Sequence, residues 1–79
     1  MKFYQTVTTC NDGSDEWVYY EGYNLADALA RRDYEKRCCK DKNYSTEVRE
    51  YDLPEGKKYE DLDENEKCDV LFAYNIIEG

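Results

Sequence analysis

The chain has no histidine, and this absence removes more chemistry than any other feature of the sequence. A serine or cysteine nucleophile has no ordinary general base. The four cysteines (Cys10, Cys38, Cys39 and Cys68) contain no C-x-x-C pair. A zinc site or a thioredoxin-type couple therefore has no local frame. Asp12, Asp15 and Glu16 do not have the spacing of a calcium loop. No apolar run approaches the roughly 20 residues needed to cross a bilayer. The opening, MKFYQTVTTC, is too polar for the core of a signal peptide. These absences lead us to expect a cytoplasmic protein, not an enzyme, with no cofactor, no metal and no membrane contact. Its cysteines are expected to be reduced thiols.

Large non-tyrosine hydrophobes are also scarce. A chain of 79 residues buries little of its surface, so the core must be small. Nine tyrosines supply much of the missing packing, each with a hydroxyl that needs water or a partner. Length and composition indicate one α+β domain over residues 1–79.

Residues 2 to 10 alternate and are rich in β-branched and aromatic types, which suits a strand. NDGSDE is a turn, and residues 16 to 23 read as the second strand of a hairpin. Asn24 caps a helix in which Leu25, Ala28, Leu29, Arg32, Lys36 and Cys39 share one side. DKN ends it. Residues 44 to 53 read as a third strand. Charges on both of its faces suggest an edge position. Residues 68 to 77, CDVLFAYNII, read as a fourth strand. It is apolar on both faces and so central. The sum is β-β-α-β-β, a mainly antiparallel four-stranded sheet in the order 2-1-4-3, with one helix on one face. The other face is left open and partly lined by tyrosine, which offers a surface for a homodimer.

The formal charge is −8, and residues 45–69 carry ten acids against four bases. A net charge of that sign disfavours direct nucleic-acid binding. A fixed row of carboxylates would instead fill a basic groove that normally holds phosphates, and steering would speed the encounter. The residues assigned to such a surface are Glu47, Glu50, Asp52, Glu60, Asp61, Asp63, Glu64 and Glu66, with Tyr51 and Tyr59 as anchors.

In size, acidity and missing catalytic parts the chain resembles the small inhibitor proteins of phages and mobile elements, of the anti-CRISPR and anti-restriction type. The resemblance is one of type and rests on no motif. It implies a protein-interaction module that blocks a partner's basic nucleic-acid-binding surface by mimicking the charge of DNA. The alternative is a structural or oligomerisation module. A third reading is thiol redox or metal binding through the cysteines. In RCCKD, Cys39 belongs to the packing stripe, and Cys38 is the more exposed thiol beside Arg37 and Lys40.

Overall fold

The computed structural model describes residues 1–39 and 42–77. Strand β1 (Lys2–Cys10) and strand β2 (Glu16–Gly22) form the expected hairpin. Its turn is closed by the Asp12 carboxylate, which accepts from the Ser14 N–H at 2.8 Å. Gly13 takes a φ of +79°, which favours glycine. Helix α1 (Leu25–Cys38) starts at Asn24, whose side chain accepts from the Asp27 N–H. Strand β3 (Tyr44–Asp52) follows. The acidic segment then makes a short 3-10 turn (Tyr59–Asp61) and helix α2 (Glu64–Phe72), and strand β4 (Asn75–Ile77) follows. The expected helix residue Lys40 and the first residue of the DKN stop, Asp41, lie outside the described residues, as does any effect of Lys40 on the neighbouring thiols.

The architecture is α+β, with a four-stranded antiparallel sheet as expected. Its order is β2-β1-β3-β4, which corrects the expected 2-1-4-3. Residues 68–72 are helix, and only Asn75–Ile77 extend the sheet, at its edge. The local reason is a capping box. Asp63 accepts from the Glu66 N–H, and the Glu66 side chain accepts from the Asp63 N–H. Val70 is buried and Leu71 half-buried, while Phe72 is 89% exposed. A strand would have put Val70 and Phe72 on one face; a helix separates them.

β3 is central rather than an edge. It pairs with β1 along its whole length, from Lys2↔Asp52 to Cys10↔Tyr44. Its charges are tolerated because cations on neighbouring positions meet them, as described below.

Both sheet faces have cover, so one face is not left wholly open. On the α1 side Tyr4, Ala28 and Val48 form a core, padded by Tyr20, Leu25, Leu29 and Ile77. Thr6 donates to the Ala28 carbonyl at 2.7 Å and ties helix to sheet. Arg32 is buried along α1, with its guanidinium on Asp33 and near the Ile77 carbonyl. Lys36 and Cys39, expected on the same stripe, are exposed, because the helix ends beyond its packed turns. On the opposite side Phe3, Tyr51, Leu53, Leu62 and Val70 form a second core, with Tyr59 and Leu71 against it. The 3-10 turn and α2 therefore cover one end of the face assigned to a homodimer. Val18 and Ile76 remain exposed.

A bulge marks the hairpin. Thr6 pairs with Tyr20 and Val7 with Val18, so Tyr19 is an extra residue. Tyr20 joins the α1-side core, and Tyr19 lies under the Arg31 guanidinium of α1. Tyr23 goes the other way, edge-on to Phe3 with centroids 5.5 Å apart. Tyr19 and Tyr20 thus both face α1, and Tyr23 lies on the other side of the sheet.

Candidate anionic interface

The acids of β3 do not form one surface. A strand points alternate side chains to opposite faces. Glu47 accepts from Arg49 at 3.0 Å, and Arg49 also holds Glu16 at 2.7 Å. The same guanidinium lies 4.6 Å from the centre of the Tyr74 ring. Glu50 is on the other register, 3.6 Å from Lys2, and Asp52 is bonded to that same lysine. Each of these carboxylates thus has a cation beside it. With Glu16 on Arg49 and Asp12 on Ser14, the hairpin acids do not converge either.

Tyr51 is not available as an anchor. It is 2% exposed, and its hydroxyl donates to Gln5 Oε1 at 2.7 Å inside the protein. Its ring is part of the core that seats the acidic segment. This corrects its assignment to a partner surface.

The remaining residues do come together. Between Glu60 and Glu66 five of seven side chains are carboxylic acids: Glu60, Asp61, Asp63, Glu64 and Glu66. Gly56, with a φ of +77°, turns the chain after Pro54 and leads into them. Two apolar side chains fasten the segment. Tyr59 stacks on Phe3 with centroids 4.2 Å apart and planes 8° from parallel, and Leu62 is 5% exposed. Tyr59 is half-buried, so it supports the segment more than it projects from it.

Polar contacts then fix the acids individually. Tyr23 donates its hydroxyl proton to Glu60 and accepts from the Tyr59 N–H at 2.9 Å. Asp61 accepts from the Lys58 N–H at 3.3 Å and closes the 3-10 turn. Asp63 accepts from the Glu66 N–H at 2.8 Å. Glu66 accepts from Lys57 at 2.7 Å. Glu64 is exposed in the first turn of α2. Acids at a helix N-terminus also meet its positive dipole end.

The titration behaviour follows from these contacts. The Tyr23 hydroxyl holds Glu60 below the usual carboxylate range, and Lys57 does the same for Glu66. Glu66 in turn raises Lys57. Burial raises Tyr23, and Glu60 adds to it. Burial also raises Tyr59, with the charge of Glu21 next in size. Glu60 and Glu66 are therefore ionised at neutral pH. The three lysines of this stretch, Lys57, Lys58 and Lys67, stand at its margins, and Lys67 lies 5.3 Å over the Tyr59 ring.

Sequence reasoning missed Tyr23, Lys57 and Glu21. Tyr23 and Glu60 are 37 positions apart, and nothing local marks them as partners. Among the described residues no group of three or more His, Cys, Asp or Glu side chains is placed to hold a metal ion. Cys10 is half-buried, and Cys38, Cys39 and Cys68 are exposed; all four are free. Among the described residues no helix is long and apolar enough to cross a membrane. No protein-family model, no curated protein and no solved structure matches the chain.

Proposed function

We propose that the protein is an interaction module that presents the ridge from Glu60 to Glu66 to a basic surface of a partner protein. The observation that carries this reading is five carboxylates in seven residues, held by helix caps, a tyrosine clamp and a buried leucine. A charge that is already fixed loses little freedom on binding, so more of its attraction survives as affinity. The site occupied is one that would otherwise hold nucleic-acid phosphates, because a surface built for phosphate presents Lys and Arg in rows. The action is inhibition by occupancy, in the cytoplasm, without catalysis. That is the mode implied by the resemblance to phage and mobile-element inhibitors. The acids of β3 contribute less, since Arg49 and Lys2 already meet them.

The test is retention of partners from the native cell's lysate by immobilised protein, with duplex DNA and salt as competitors. Wild type is expected to hold a nucleic-acid-binding protein that duplex DNA displaces. The variant Glu60→Gln/Asp61→Asn/Asp63→Asn/Glu64→Gln is expected to lose most of that retention and its salt dependence. Asn at position 63 keeps the cap, so the variant removes charge without unwinding α2. Retention that the variant keeps, or that duplex DNA leaves untouched, refutes the reading.

A further inference from the structure

At the opposite end of the sheet, on the α1 side, three aromatic side chains meet around a hollow of about 120 Å³. Trp17 comes from β2, Tyr19 from its bulge and Tyr44 from the start of β3. Thr8, Glu35 and Cys39 complete the lining. The Trp17 and Tyr44 rings are inclined at 56° with centroids 5.5 Å apart, so they make a corner and not a stack. Trp17 and Tyr19 are each 41% exposed, which leaves a route in from solvent.

We infer that this hollow binds a methylated ammonium group, of the kind carried by a trimethyllysine side chain or a choline-type head group. Four features select that class. The first is the wall: aromatic faces attract cations, and tryptophan does so most strongly. The second is charge. Glu35 brings a carboxylate to the wall, and the chain as a whole is at −8, so anions are turned away. The third is the shortage of free acceptors. Thr8 already shares a hydrogen bond with Thr46 at 2.8 Å, and Glu35 Oε1 accepts from Arg31 at 2.7 Å, with Oε2 the carboxylate oxygen outside that bond. A lysine ammonium brings three donors that need partners. A quaternary nitrogen brings none, and its methyl groups suit an apolar wall. The fourth is size: the hollow is well below the roughly 300 Å³ from which clefts for drug-sized ligands begin.

One ring of the wall, Tyr19, already carries a cation, as does Tyr34 outside the hollow. The Arg31 guanidinium lies 5.4 Å from the Tyr19 ring centre and 5.6 Å from that of Tyr34. Arg31 is also the internal competitor, because it engages both Tyr19 and Glu35. Trp17 and Tyr19 stand two apart on β2 and so share the α1 face, while the bulge lets Tyr20 reach the α1-side core as well. The site shares no residue with the anionic ridge, so it stands whether or not that ridge binds a partner.

Trp17 is the only tryptophan, which makes its fluorescence a direct reporter. Tetramethylammonium, choline and a trimethyllysine peptide are titrated separately, beside unmodified lysine and the neutral isostere of choline with carbon in place of nitrogen. A saturable change below about 10 mM is expected for the methylated cations. The isostere and lysine should bind at least about 10-fold more weakly. Choline against peptide identifies the source of the head group. Tyr44→Leu and Glu35→Gln should each weaken binding by about 2- to 30-fold, and Arg31→Gln should tighten it by freeing Tyr19 and Glu35. Glu35→Gln keeps the shape of the site, so its result stands even if Tyr44→Leu does not fold. The inference is overturned if the carbon isostere binds as tightly as choline, or if no methylated cation gives a saturable change.

Discussion

Replacing Asp63 in two ways separates the cap from the charge. Asp63→Ala removes the acceptor that meets the Glu66 N–H at 2.8 Å and leaves only the reciprocal bond, in which the backbone N–H of residue 63 donates to the Glu66 carboxylate at 3.3 Å. Loss of an N-cap costs about 1 kcal/mol, within a range of roughly 0.5–2. α2 has nine residues and is too short to persist without its cap and its packing. For a domain of this size about 1 kcal/mol lowers Tm by roughly 4–8 °C. Asp63→Asn keeps a side-chain oxygen in the same place and loses only the charge. It should stay within about 0.5 kcal/mol of wild type. Thermal melts by circular dichroism give the global effect. Amide exchange at Glu66 and Lys67, whose N–H groups meet Asp63, gives the local one. Exchange should quicken in the alanine variant and change little in the asparagine variant. If both variants fall equally, or if alanine changes neither melt nor exchange, the cap does not hold the ridge.

Two further expectations rest on the same core and clamp. Tyr51→Phe should cost about 1–3 kcal/mol by leaving the buried Gln5 oxygen without its donor, and Gln5→Met in the same chain should recover much of that. Denaturant titration of the two single variants and the double variant checks this, and strict additivity would count against the bond. Glu60 and Glu66 are held below their ordinary values, so their contribution is full above the normal carboxylate range and fades as pH falls through the lowered values. Carboxyl NMR titrations should show Tyr23→Phe returning Glu60, and Lys57→Met returning Glu66, towards the ordinary value; an unmoved midpoint would remove the clamp from the account.

Four elements were legible because their signals are local. Alternation marks β1, the Asp12–Gly13 turn marks the hairpin, Asn24 marks the start of α1, and Pro54 lies just beyond the end of β3. α2 was missed although its signal was present. Asp63 and Glu66 have capping-box spacing, and Glu66, Lys67, Val70 and Leu71 follow a helical stripe. The alternation of Val70, Phe72, Tyr74 and Ile76 competed with it. That alternation joins residues from a helix, a link and a strand. The error then spread to topology. Once 68–77 is read as a long apolar strand, it claims the centre, and β3 with its charges is pushed to the edge. With α2 recognised, only three residues remain for the last strand, too few to fill the middle of a sheet whose other strands are seven to nine residues long.

The candidate site divides along the same line between local and distant information. Counting acids from 45 to 69 treats every carboxylate as equal, but a carboxylate acts on a partner only through charge that the fold has not already answered. Lys2 answers Glu50 and Asp52 from across a strand pair some fifty residues distant in sequence, and Arg49 answers Glu47 and Glu16. No count along the chain reveals this. Between Glu60 and Glu66 the restraints are different in kind. Backbone N–H groups and a tyrosine hydroxyl, which carry no net charge, hold Glu60, Asp61 and Asp63. Such donors fix position and favour ionisation without cancelling the field at a distance. Among the described residues of the ridge, Glu66 makes the close ion pair, with Lys57, and the charge of Lys58 reaches Glu60 more weakly. The ridge therefore keeps most of its negative potential while losing most of its freedom, and β3 keeps its order while losing most of its potential. That difference, rather than the total of −8, is what makes one stretch of this chain suited to a basic partner.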